Sequence, residues 1–320
     1  MNDGYLALSG ISKSFTARGV TTQVLDGIDL RVADREFVAL IGSSGCGKST
    51  LINIIAGLLT FDEGYLSLGG RPISGPGADR GVVFQDDVLL PWLTALDNLC
   101  FALDCTMSAA SVRQRRRLAG KYLRLVGLAE AFDKKPNQLS GGMRQRVCIA
   151  RAFAIQPRVL LLDEPFGALD ALTRLTLQDQ LLQVWEAERK IVVMVTHDVD
   201  EAIKLSDRIL VMSDGPSAKI KQEVAVPFRR PRDMGRLLRE PRFYELRAAL
   251  LSMLQGEGGF RPGSPADGIH SRIPGQERIG ADAALLASAA RAGHSSNDAL
   301  GFGGEMRYKV PSPNSEDQSE

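Results

Sequence analysis

The run Gly42-Ser43-Ser44-Gly45-Cys46-Gly47-Lys48-Ser49-Thr50 matches the spacing G-x-x-x-x-G-K-[ST] at every fixed position. Glycines at 42, 45 and 47 let a backbone wrap closely around phosphate oxygens, with consecutive N–H groups turned inward. Lys48 then reaches the outer phosphates, and the Ser49 hydroxyl is placed to ligate Mg²⁺. A second stretch, Val159-Leu160-Leu161-Leu162-Asp163-Glu164, is a short apolar run ending in two acids. At the carboxyl end of a parallel strand, Asp163 can hold Mg²⁺ directly or through water. Glu164 can orient or deprotonate an attacking water. Together the two stretches predict hydrolysis of a nucleoside triphosphate.

Between them lies Leu139-Ser140-Gly141-Gly142-Met143-Arg144-Gln145-Arg146. Ser140 is a natural N-cap for a helix running toward Pro157, with Val147, Ala150, Phe153 and Ala154 on its buried face. A Ser-Gly-Gly helix start is a second anion-binding end in the same chain. Two such ends suggest that two copies of the chain sandwich one nucleotide.

The elements that must position these residues are legible too. Phe37 to Ile41 reads as a buried strand feeding the phosphate loop, and Leu51 to Leu59 as the helix leaving it. That helix would aim its positive end at the phosphates. Val24 to Val32 alternates as an antiparallel strand does. From about 88 to 157 the pattern turns helical, with main pieces at Gln114 to Val126 and Gly142 to Ile155. From 158 to about 226 an α/β pattern resumes. Leu172, Leu175, Leu182 and Trp185 read as a core stripe on one helix, and Arg236 to Leu254 as a terminal helical segment.

With these pieces in order, the chain resembles an ATPase subunit of an ATP-binding-cassette transporter, from about Tyr5 to about Gln255. Leu139, Ser140, Gly141 and Gly142 match that family's signature motif, and Glu164 its catalytic glutamate. Gln85, after Gly81-Val82-Val83-Phe84, matches the Q-loop. Gly167-Ala168-Leu169-Asp170 matches the D-loop, and His197, after Ile191 to Thr196, the switch histidine. Phe15 stands where the family stacks an aromatic ring on adenine. An aromatic face suits any base, although a lone Phe is often a core residue. The resemblance implies an α/β P-loop (RecA-like) core, an antiparallel β subdomain and an inserted helical subdomain at about 88–157. It implies ATP and Mg²⁺ as cofactors, with Ser49, Gln85 and Asp163 at the metal. It implies a homodimer of cassettes, integral membrane permease subunits and, indirectly, a periplasmic or surface solute-binding protein. The expected location is the cytoplasmic face of the membrane. Two departures stand out. Met143 replaces a frequent Gln, and Gly167 replaces a frequent D-loop Ser.

The segment Arg71 to Gln85, followed by Leu89-Leu90-Pro91-Trp92, and the stretch Asp163 to Asp170 are similar to importers of taurine, alkanesulfonates and nitrate, closest to the taurine type. Importers of pyrimidine precursors share much of this pattern. Trp92 is either a core residue or a partly exposed anchor for the membrane subunit.

Composition agrees. The 320 residues carry a formal net charge of +1, so electrostatics give no argument for nucleic acid. Arg113, Arg115, Arg116 and Arg117 read as a solvated helix face. Cysteines at 46, 100, 105 and 148 lack metal-type spacing and fit a reducing compartment. Met1 to Tyr5 shows no basic-plus-apolar leader, and no stretch approaches the ~18 apolar residues of a membrane-spanning helix. Attachment to a membrane is therefore expected through a partner. A soluble cassette acting on ribosomes or DNA would carry two P-loops or coiled-coil arms, and neither is present. A scaffold without turnover would not need Glu164 and His197. Residues 256–320 are rich in Gly, Ser, Pro and Ala and are expected to be a disordered tail, with a short Ala-rich helix possible at Ala281 to Ala292.

Overall fold

The structure, a computed structural model, describes residues 5–167 and 169–255. The expectations for 256–320 lie outside the described residues. In chain order the elements are β1 (Leu6–Ala17), β2 (Val20–Val32), β3 (Phe37–Ile41), α1 (Lys48–Ala56), β4 (Glu63–Leu68), β5 (Arg71–Pro72), β6 (Arg80–Val83), α2 (Ala95–Thr106), α3 (Val112–Leu125), α4 (Gly141–Ala154), β7 (Val159–Asp163), α5 (Ala171–Glu188), β8 (Ile191–Val195), α6 (Val199–Leu205), β9 (Arg208–Met212), β10 (Ile220–Ala225), α7 (Met234–Leu237) and α8 (Pro241–Leu254).

Strands whose consecutive residues are nearly all apolar must be covered on both faces. That is what β3, β7, β8 and β9 do within a six-stranded sheet of order β10-β9-β3-β8-β7-β6. All its pairings are parallel except β9 with β10. Side chains alternate between the faces. Val38, Leu40, Leu161, Val193 and Leu210 pack on one side with α1 and with Leu6, Leu8, Ile28 and Leu66 of the other sheet. That sheet is four-stranded and antiparallel, of order β2-β1-β4-β5. Phe37, Ala39, Leu160, Met194 and Ile209 point the other way, into a core shared with α2 to α6 and α8. Helix α1 is thus clamped between two sheets, with Leu51, Ile52, Ile54 and Ile55 buried. Burying each such side chain contributes roughly 1.5–3 kcal/mol.

Helices α2, α3 and α4 pack on one another, and α4 also reaches β6 and α5. The helical stretch begins at Ala95, later than 88, because Leu90-Pro91-Trp92-Leu93 forms a turn and Thr94 caps α2 by accepting from the Asp97 N–H. Arg115 folds onto Asp104, while Arg113, Arg116 and Arg117 face solvent.

The reading of Leu172, Leu175, Leu182 and Trp185 as one core stripe is wrong in its first half. Leu182 and Trp185 are buried, but Leu172 is 79% and Leu175 40% exposed. The buried face of α5 runs through Leu177, Gln178, Leu181 and Trp185. At 3.6 residues per turn, Leu172 stands on the side opposite Leu181.

Candidate active site

Four parallel strands bring distant residues to one edge. β6, β7, β8 and β3 are neighbours, and their registers pair Val83 with Leu162, Asp163 with Val195, and Val195 with Leu40. The residues following their carboxyl ends therefore lie side by side: Gln85, Asp163-Glu164, His197 and the loop from Gly42. This edge is where ligands bind in such sheets.

The loop between β3 and α1 is shaped by glycine. Gly47 has φ 101°, and a Cβ there would come within 2.8 Å of the Leu25 side chain, so β2 closes against the loop. Lys48 is 6% exposed. Its ammonium donates to the carbonyls of Gly42 at 3.0 Å and Ser43 at 2.8 Å. Ser44, Gly45 and Cys46 complete the turn, with Cys46 buried and Thr50 half-buried in α1. The Ser49 hydroxyl donates to Asp163 Oδ1 at 3.1 Å. Burial pushes the Asp163 carboxyl above its ordinary range; the Ser49 hydroxyl opposes this and the Glu164 charge adds to it.

Glu164 sits at φ +46°, in the left-handed region. Its N–H donates to the Val195 carbonyl at 3.0 Å, and its carbonyl accepts from the Gly167 N–H at 3.2 Å. Its Oε2 is approached by Gln85 Nε2 at 3.4 Å and by His197 Nδ1 at 3.3 Å. The amide, the carboxylate and the imidazole thus converge beside the Ser49–Asp163 pair. Among the described residues no group of three or more His, Cys, Asp or Glu is arranged to hold a metal ion by itself. The pair of hard oxygen donors beside a phosphate loop suits Mg²⁺, which takes few protein ligands and completes its shell with phosphate and water.

Other expected residues are placed differently. Ser140 caps α4, its hydroxyl accepting from the Met143 N–H at 3.3 Å. It is exposed and shares no hydrogen bond with the loop at 42–50 or with Glu164 among the described residues. Leu139 is buried and Gly141 exposed. A Cβ on Gly142 would come within 2.7 Å of the Thr173 methyl, so α4 and α5 meet there. Gly167 is exposed, Leu169 half-buried, and Asp170 caps α5 by accepting from the Thr173 N–H at 3.0 Å. Ala168 lies outside the described residues. Phe15 is 42% exposed, opposite Thr22 in the β1–β2 pairing. Trp92 is 67% exposed, so it is not a core residue.

Sequence reasoning missed three supports. Asn98, 1% exposed, accepts from the Leu90 N–H at 2.8 Å and donates to the Leu90, Leu93 and Thr94 carbonyls, fixing the turn that displays Trp92. Arg144 binds the Asp87 carboxylate and donates to the Leu139 carbonyl at 2.9 Å, tying the Ser140 helix start to the segment after Gln85. Arg174 donates to the Leu169 carbonyl and to Asp198.

A parallel sheet with a phosphate loop, an acid pair, a converging Gln and His, and a separate Ser-Gly-Gly helix start defines a P-loop ATPase of the cassette type. A family model described as "ABC transporter" matches residues 25–167. The chain is 49% identical over 251 residues to the bicarbonate transport ATP-binding protein CmpD of Synechocystis sp., covering 78% of this chain and 89% of that one. It is 47% identical over 255 residues to the nitrate import ATP-binding protein NrtD of Synechococcus elongatus, covering 79% and 93%. Among solved structures, a dimeric post-hydrolysis state of the ATP-binding cassette MJ0796, bound to ADP and Pi, superposes with a TM-score of 0.63 at 33% identity, over 70% of this chain and 100% of that one. The chain belongs to the ABC transporter family and is an ATP-hydrolysing cassette of it.

Proposed function

We propose that this chain energises an importer for a small inorganic oxyanion, as a peripheral subunit on the cytoplasmic face of the membrane, with residues 1–255 as the cassette. The observation that carries the mechanism is the convergence of Gln85, Glu164 and His197 beside the Ser49–Asp163 pair. Lys48 leaves the Gly42 and Ser43 carbonyls to meet the outer phosphates, and the loop amides from Gly42 to Thr50 cradle the rest. Phe15 stacks on the base. Ser49, Asp163 and Gln85 would hold Mg²⁺, which neutralises charge on the phosphates. Glu164 takes a proton from the attacking water, and His197 contacts the outer phosphate. Ser140 and Gly141 are exposed and share no hydrogen bond with their own chain's phosphate loop; with Gly142 they contact the nucleotide of a second copy, and Gly167 to Asp170 lie at that boundary. The dimeric neighbour supports this arrangement.

No helix among the described residues is long and apolar enough to cross a membrane, so docking runs through a permease. Trp92 is the anchor we assign to it, and the short segment from Gln85 carries movement from the nucleotide to that face. A solute-binding protein would deliver the solute to the permease. The names of the two relatives favour nitrate or bicarbonate over taurine or a pyrimidine precursor. ATPase stimulation in the reconstituted transporter, with each solute and its binding protein in turn, decides among them.

The mechanism is tested at Glu164 and Lys48. Glu164→Gln is expected to bind ATP and accumulate as a closed dimer while turnover falls ~100-fold or more. Lys48→Ala is expected to lose about 100-fold in ATP affinity, since charge-assisted bonds to phosphate are lost. Undiminished phosphate release by Glu164→Gln would falsify the assignment of Glu164 as the base.

A further inference from the structure

The loop before α5 and the turn after β8 are far apart in sequence, and one side chain joins them. Arg174 donates from Nη2 to the Leu169 carbonyl at 3.1 Å and from Nη1 to Asp198 Oδ2 at 3.4 Å. Leu169 belongs to the 167–170 loop, and Asp198 directly follows His197. Asp198 is itself held firmly. Its Oδ1 accepts from the N–H groups of Asp200 at 2.9 Å and Glu201 at 3.1 Å, and its own N–H donates to Thr196 Oγ1 at 3.0 Å. One turn further along α5, on the same face, Gln178 Nε2 donates to Glu201 Oε2 at 3.2 Å. Two rungs from α5 therefore grip the start of α6, behind an imidazole that lies 3.3 Å from Glu164 Oε2. The guanidinium suits this place because its planar fork serves two acceptors at once, which an ammonium on a flexible stem does not.

We propose that Arg174 is a positioning residue for hydrolysis: it locks the 167–170 loop to the His197 turn, so that His197 stays against Glu164 when that loop is seated on a second cassette. This rests on the reading of His197 and Glu164 given above. The Arg174 guanidinium bonds Asp198 and the Leu169 carbonyl and makes no hydrogen bond to Glu164 or His197, so it acts through Asp198.

The test is a double-mutant cycle of Arg174→Ala and His197→Ala in the assembled transporter, with Arg174→Lys beside it. It reads kcat, KM for ATP and melting temperature. Arg174→Ala is expected to lower kcat about tenfold while KM changes less than about twofold. Arg174→Lys should recover little of this, because it cannot span both acceptors. In the His197→Ala background the Arg174→Ala change should cost nothing more. A second tenfold loss there, or full recovery by Arg174→Lys, overturns the proposal alone. An unchanged kcat in His197→Ala overturns the reading of His197, and the proposal with it. If Arg174→Ala lowers the melting temperature, Asp198→Asn decides. It keeps a carbonyl oxygen for the α6 cap but removes the charge facing Arg174. A wild-type kcat in Asp198→Asn rejects the lock, and the same selective kcat loss upholds it.

Discussion

Glu164 pays for its position in backbone strain. A left-handed φ at a glutamate costs roughly 1–3 kcal/mol, and it persists because bonds to Val195 and Gly167 hold both sides of the residue. The turn points the carboxylate at Gln85 and His197 instead of along β7. A second acid nearby carries a pH signature. Burial pushes the Glu201 carboxyl from 4.5 up to about 8, against the opposing bonds from Thr196 and Gln178. The folded chain therefore keeps a proton on Glu201 that the unfolded chain releases above 4.5. The stability from that neutral group is complete below 4.5 and is lost as pH rises to about 8, where the folded form ionises too. Glu201→Gln keeps an acceptor for Gln178 and has no proton to lose. Its melting temperature relative to wild type is expected to climb between pH 5 and 8 and then level off, by calorimetry. A difference that stays constant with pH rejects the buried neutral carboxyl.

At the scale of elements, the turn before α2 separates display from support. Trp92 is exposed, so Trp92→Ala should leave the stability of the isolated subunit within about 0.5 kcal/mol. The same change should weaken capture of the permease by ~2 kcal/mol or more, as loss of an interface aromatic does. Asn98→Ala should do the reverse first. It removes the partner of the Leu90 N–H and of the Leu93 carbonyl, while the Leu90 and Thr94 carbonyls keep their backbone bonds, a cost of about 1–3 kcal/mol for each group that water cannot reach. Pull-down of the permease beside thermal melts of both variants checks this. Unfolding of the isolated Trp92→Ala subunit would mean that Trp92 supports the fold after all. The Arg144–Asp87 tie is the counterpart on the other side of the same segment. It links the segment after Gln85 to the helix start at Ser140.

For the whole molecule, α8 is the last element among the described residues. Phe243, Leu246 and Leu250 are buried against the main core, while the residues beyond Gln255 are rich in Gly, Ser, Pro and Ala. Truncation after Gln255 is expected to move the melting temperature by less than about 2 °C and to leave ATP binding intact, since ~1 kcal/mol corresponds to about 2–4 °C in a domain of this size. Truncation after Arg239 removes α8 and is expected to unfold the chain. Each of those three side chains contributes roughly 1.5–3 kcal/mol against a total stability of about 5–15 kcal/mol. A large drop on the first truncation would show that the tail belongs to the folded unit.

The phosphate loop, the acid pair at 163–164, the Ser140 cap and the strands that carry them were all legible in the sequence. Each is a local device, in which a few neighbouring residues set backbone path, charge and capping together. Tertiary structure alone decided how they combine. The registers of β6, β7, β8 and β3 bring Gln85 and His197 onto Glu164. The rotation of α5 puts Leu172 in solvent, where a periodic pattern had placed it inside. Asn98 bonds both sides of the turn that carries the exposed Trp92, and the ties made by Arg174 and Arg144 cross 24 and 57 residues of chain. A hydrogen bond between residues so far apart leaves no periodicity, cap or turn signal in the sequence, because its partner is chosen by packing.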